Sequence, residues 1–145
     1  MNISDTILDE IITDLKSIPE TSILDGYLVH YADDLMAAGG ENNFPCVAVQ
    51  LKTEDPVSDN GRKIKLNRTY TMIGAIDALD VTLVNKRLNA LLLSVRLALY
   101  EDTYAKNDSS AQKIEIGTVN FKLPENSDIY ALFECDLTVT YVQKL

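Results

Sequence analysis

The stretch IYALFECDLTVTYV, residues 129–142, constrains the fold of this chain more than any other. Ile129, Ala131, Phe133, Cys135, Leu137, Val139 and Tyr141 take every second position, with Glu134, Asp136, Thr138 and Thr140 among the residues between them. Side chains alternate across a β-strand, so this pattern makes one face apolar and the other polar. A slip of one residue would turn the whole apolar set to water, which specifies the register. A strand of this kind is one wall of a core and needs a layer laid over its apolar face.

Residues 80–100, DVTLVNKRLNALLLSVRLALY, supply that layer. Val84, Leu88, Leu91, Leu92, Val95 and Leu99 recur at helical spacing and share a face, while Asn85, Asn89 and Arg96 lie on or near the opposite one. No Gly or Pro interrupts the run. Asp77 and Asp80 precede it, where a carboxylate can accept from free N–H groups and meet the positive end of the helix dipole. Residues 4–18 read as a second amphipathic helix, with Ile7, Leu8, Ile11, Leu15 and Ile18 inward, Ser4 or Asp5 as cap and Pro19 as stop.

Three more stretches read as strands. Residues 44–51, FPCVAVQL, are small or β-branched on both faces, as in a well-covered strand. Residues 64–76 alternate, with Ile64, Leu66, Tyr70, Met72 and Ile76 on one side and Arg68 as the exception. Between them KTEDPVSDNGRK, residues 52–63, reads as a polar loop with turn signals at Asp55-Pro56 and Asn60-Gly61, so the pair is expected as a long-looped antiparallel hairpin. In residues 113–123 the apolar parity changes at Gly117-Thr118, the mark of a bulge, and this strand pairs with the next to make a second hairpin. Residues 20–43 are the least regular: residues 26–31 suit a short strand, and Gly39-Gly40 with Glu41, Asn42 and Asn43 suits a flexible loop. The expected fold is a single α+β domain, residues 1–145. It has an antiparallel or mixed four-stranded sheet of two hairpins, with the long central helix and the N-terminal helix packed on one face.

Composition narrows the function. A formal net charge of −9 argues against a broad electrostatic grip on nucleic acid or an anionic membrane. The opening MNISDTILDEII is acidic and is not expected to act as a secretory signal, and no apolar run approaches the length of a membrane span. Cys46 and Cys135, each among apolar neighbours, read as buried thiols in preference to a disulfide or a metal pair. His30 is the single histidine and has no second one to work with. Gly39-Gly40 lacks the Lys-Ser/Thr of a phosphate loop.

The carboxylates read the same way. Asp33-Asp34, Glu54-Asp55-Asp59 and Glu101-Asp102 are expected as solvated charge. The loop from Asp55 has Val57 where a calcium ligand belongs, Asn60 in place of the glycine and Leu66 in place of the closing glutamate. Glu134 and Asp136, two residues apart on the polar face of the last strand, could be a catalytic carboxylate pair; an interface or edge-protecting charge is the preferred reading. The chain is therefore expected to be no enzyme, with no catalytic residues, no cofactor and no metal.

A length comparison leads toward assembly. Residues 129–142 reach roughly 45 Å when extended, whereas the central helix is roughly 30 Å long. The overhang needs cover from the first helix or from a neighbouring subunit.

The sequence order agrees with that. A short helix leads through an irregular segment to FPCVAVQL, then a polar loop, KLNRTYTMIGAID, the Leu-rich VNKRLNALLLSVRLALYED, and a closing strand pair ending in CDLTVTYVQKL. This resembles the small tail-terminator or tail-completion proteins of long-tailed bacteriophages, and related minor tail proteins of prophages. The resemblance implies a non-enzymatic structural protein of the virion tail, assembled in the cytoplasm of the bacterial host. It implies a homo-oligomeric ring, commonly a hexamer, that ends the tail tube. Its partners would be copies of itself, the tail tube protein and head–tail connector proteins, with no membrane and no specific nucleic acid. In such proteins contacts come from loops and sheet edges, which here designates Gly39, Gly40, Asn42, Lys52, Glu54, Asp55, Asp59, Asn60 and Arg62, with Glu134 and Asp136. The alternative is a small cytosolic ligand-binding module with its pocket between helix and sheet.

Overall fold

In a computed structural model of the chain, residues 2–25, 44–101, 110–124 and 130–145 are described. They form two helices and a mixed sheet. Helix α1 is Ile3–Lys16, strand β1 Ser22–Asp25, β2 Cys46–Asp59, β3 Lys63–Asp77, helix α2 Val84–Glu101, β4 Lys113–Ile116, β5 Asn120–Lys122 and β6 Tyr130–Lys144. The sheet is six-stranded, in the order β1-β2-β3-β6-β4, with β5 also paired to β6. Four strands were expected. The additional strand β1 comes from the irregular segment and pairs parallel with the first residues of β2, and the expected third strand divides into β4 and β5.

That division follows from the parity change seen in the sequence. Lys113 lies opposite Thr140 and Ile116 opposite Leu137, but Asn120 lies opposite Glu134, a shift of one residue across Gly117–Val119. The bulge lets Ile114 and then Phe121 face the same side of the sheet.

Both helices pack on one face. The core joins Ile7, Ile11, Ile12 and Leu15 of α1 and Val84, Leu88, Leu91, Leu92, Val95 and Leu99 of α2 to the inner faces of β2, β3 and β6. Every inner residue of β6 from Ala131 through Phe133, Cys135, Leu137 and Val139 to Tyr141 is buried. The expected overhang of this strand is therefore absent: its inner face is enclosed in one core to which both helices contribute. Gly74 lies opposite Phe133, and a Cβ there would stand 2.3 Å from the phenyl ring. A glycine is needed at that position because the ring fills the place of its side chain.

The caps differ from expectation in detail. Asn2, not Ser4 or Asp5, caps α1 by accepting from the Asp5 N–H at 3.0 Å. Asp80 caps the 3-10 turn Val81–Leu83 that leads into α2, accepting from the N–H and hydroxyl of Thr82. Asp77 does not cap. It holds Arg87 in a two-point ion pair at 2.9 and 3.0 Å, which ties the end of β3 to α2. This bond to Arg87 lowers the Asp77 carboxyl below its ordinary value.

A smaller cluster on the opposite face joins Cys46, Ala48, Ile73 and Ala75, with Phe44 and Leu132 against it. Cys46 belongs to this outer cluster and Cys135 to the inner core, so the sheet lies between them and both are free thiols. Burial raises their pKa to about 12 and about 11, which keeps both protonated and unreactive.

Candidate functional site: an exposed sheet edge

The largest departure from the sequence reading is at residues 52–63. These do not form a loop. Strand β2 continues to Asp59, the turn is confined to Asn60, Gly61 and Arg62, and β3 begins at Lys63. Asn60 accepts at its side-chain oxygen from the N–H of Arg62 at 3.1 Å and of Lys63 at 2.8 Å, and Asp59 accepts from Gly61 at 2.7 Å. Gly61 has φ +82°, the left-handed region that glycine enters without cost. The Asn60-Gly61 turn signal was sound; Asp55-Pro56 was not a turn. Pro56 is tolerated because its strand has, among the described residues, β3 as its one neighbour there, so a missing outward N–H breaks no described ladder.

The strand reads as a loop because its alternation fails. Two extra residues, Lys52 and Val57, are inserted as β2 runs along β3: Leu51 lies opposite Tyr70 but Thr53 opposite Thr69, and Pro56 opposite Leu66 but Ser58 opposite Lys65. Each bulge shifts the polar–apolar parity by one. The first four residues of β2 are buried, Gln50 is half-buried, and residues 51–59 are all exposed. Leu51 keeps 54% of its surface in water and Val57 52%. β1 covers the outer side of β2 only from Cys46 to Val49, so among the described residues nothing pairs with that edge from Gln50 onward.

A half-buried polar cluster ties this arm down. Arg68 donates to Glu54 at 2.9 Å, and the Tyr141 hydroxyl donates to the same carboxylate oxygen. The Arg68 guanidinium also sits 5.8 Å from the centre of the Tyr141 ring, within cation–π range. Glu54 and Arg68 share a row of the sheet and Tyr141 lies two rows on, so all three are on the helix-bearing face. Partial burial would raise the Glu54 carboxyl. The hydrogen bonds from Tyr141 and Arg68, with the guanidinium charge, outweigh it and hold the carboxyl below its ordinary value. Burial and the bond to Glu54 push the Tyr141 hydroxyl up to about 12. Tyr70, fully buried, points its hydroxyl at Arg68 without a well-formed hydrogen bond. Arg68, the exception to the alternation of β3, is therefore the group that neutralises Glu54.

The designated contact residues divide among several places. Lys52, Glu54, Asp55 and Asp59 lie on β2, and Asn60 and Arg62 form the turn. Glu134 and Asp136 point to the outer face of β6. Asp136 receives the Lys52 ammonium at 3.1 Å, and Glu134 is exposed two residues away. Gly39, Gly40 and Asn42 lie outside the described residues, as do His30, Asp33 and Asp34. Among the described residues no cluster of His, Cys, Asp and Glu has the arrangement of a metal site. No described helix is long and apolar enough to cross a membrane.

Sequence reasoning missed the apolar rim at the other end of the sheet. A groove of about 280 Å³ runs between α2 and β5, lined by Asn85, Leu88, Asn89, Phe121 and Leu123. Phe121 is 49% exposed, and Leu93 and Leu97 on the outer flank of α2 are exposed too. A second hollow of about 240 Å³ lies where the chain leaving α1 at Ile18 and Pro19 passes Arg87, Leu91 and Ser94 of α2. Both are smaller than the roughly 300–1,000 Å³ of a typical small-molecule site. No protein-family model matches the chain, and no curated protein matches it by sequence.

Proposed function

We propose that this protein is a non-enzymatic structural subunit that assembles with copies of itself into a ring, in the manner of a phage tail terminator or tail-completion protein. One observation carries the reading: residues 51–59 of β2 form a long, exposed strand whose outer edge has no partner among the described residues. An unpaired edge with exposed Leu51 and Val57 is a template for another chain. Catalysis would not require such an arm, and the polar cluster of Glu54, Arg68 and Tyr141 is spent on fixing its position. In the assembled tail the ring would rest on the tail tube on one side and meet the head–tail connector on the other.

The reading is tested by light scattering of the purified protein over a wide concentration range. Electron microscopy of the protein mixed with a tail tube protein from the same genome completes the test. A closed oligomer, in solution or seated on tube ends, is the expected result. A protein that stays single at millimolar concentration and leaves tube ends bare would end it. The groove between α2 and β5 favours the alternative, a ligand-binding module. A small molecule that survives purification and contacts Phe121 would support that alternative.

A further inference from the structure

The two free edges of the sheet lie in the same rows. Across the ladder Leu51, Tyr70, Leu137 and Ile116 form one row. Thr53, Thr69, Thr138 and Glu115 form the next; then come Glu54, Arg68, Val139 and Ile114, and last Asp55, Asn67, Thr140 and Lys113. The exposed edge of β2 at residues 51–55 and the outer edge of β4 are therefore opposite ends of the same four rows. Among the described residues neither has a strand on its outer side; at β4 the Ile116 N–H donates to the Tyr100 hydroxyl at 2.7 Å, a bond that an incoming strand would replace. Strand direction agrees as well. β2, β3, β6 and β4 alternate in direction, so β4 of a second copy set beside β2 runs antiparallel to it.

We infer that the chain associates head to tail, the edge of β2 in one copy pairing antiparallel with β4 of the next, in a continuous sheet. This rests on the assembly reading above and names its interface. Three further features of the two edges fit each other. Row continuation sets Asp55 beside Lys113 and Thr53 beside Glu115 of the next copy, so one pair of opposite charges, Asp55 and Lys113, meets on the outer face. On the helix-bearing face Leu51 comes beside Ile116, which covers an aliphatic side chain that is otherwise more than half exposed. The length of β4 is four residues, and on β2 the pairable edge ends at Pro56, which has no N–H to give. The contact is heterologous, because the two surfaces differ, and repeating it generates a ring when the rotation closes.

The test uses variants with one added cysteine each, Thr53→Cys and Glu115→Cys, both at exposed positions. The native Cys46 and Cys135 are buried and do not compete. Under mild oxidation the mixture of the two variants is expected to give a covalent dimer, and each variant alone is not, since a cross-strand pair places Cα atoms within disulfide reach. A second arm reverses charge: Asp55→Lys and Lys113→Asp should each weaken association about tenfold, and the double variant should recover it. The inference is overturned if the wild type assembles while the mixture fails to cross-link, if either variant cross-links with itself, or if both charge reversals leave association unchanged; in those cases the assembly reading stands. A wild type that never assembles removes both.

Discussion

Strands β6 and β2 are nearly equal in length, 15 and 14 residues, and lie either side of β3 in one sheet. β6 has neighbours on both edges, and its inner face is buried in the core from Ala131 to Tyr141. Among the described residues β2 has the same protection only up to Val49; beyond Gln50 the strand is exposed, and β3 is its one described neighbour. The contrast separates two properties that sequence patterns confound. Alternation of apolar and polar residues reports burial of one face, and a strand outside the core does not need it. β2 keeps its form past Leu51 through the ladder to β3 and the bond of Glu54 to Arg68 and Tyr141.

The largest effect expected from this contrast compares one residue from each strand. Phe133→Ala should cost about 3–5 kcal/mol in denaturant unfolding, because the ring is wholly enclosed, whereas Val57→Ala should change stability by less than about 0.5 kcal/mol. Equal losses would show that the arm of β2 is covered within a single chain. A smaller effect sharpens the account of β6. Gly74→Ala should cost about 1–3 kcal/mol by driving a methyl into the Phe133 ring. That cost should shrink in the Phe133→Ala background, as a double-mutant cycle would measure.

The smallest effect concerns the arm itself and is read from pH. The folded-state pKa of Glu54 is lowered, so its contribution is complete above the ordinary glutamate value and is lost as pH falls through the folded-state value. Glu54→Gln should flatten the acid limb of the stability curve while leaving the neutral plateau only modestly lower. Asp77→Asn should flatten the same limb by releasing Arg87, which lets the two groups be compared. An unchanged acid limb in the Glu54→Gln variant would mean that the carboxylate does not hold the arm.

Much of the covered half of the molecule was legible in the residues alone. The inner face of β6, the buried stripe of α2 and the bulge near Gly117 follow from periodicity, because each buries one face and burial constrains residue type. The arm was not legible. Lys52, Glu54, Asp55 and Pro56 have the composition of a loop, and the bulges at Lys52 and Val57 break what parity remained. Local preferences disfavour a strand there, and the ladder to β3 overrides them. Two signals pointed the other way: the Asn60-Gly61 pair, which suits a tight hairpin, and Arg68 on the apolar side of β3, which requires an anionic partner from the strand beside it.

Amino-acid order determined the α+β class, the strands of the two hairpins and the apolar face of each long element, since all of these depend on neighbours within a few positions. Which strands lie at the edges, that β1 adds in parallel, and that residues 51–55 share four rows with β4 were decided by the tertiary structure. Those relations join positions that are distant in the chain, Ser22 with Cys46 and residues 51–55 with residues 113–116, and they arise only when the ladders of the sheet are assembled together.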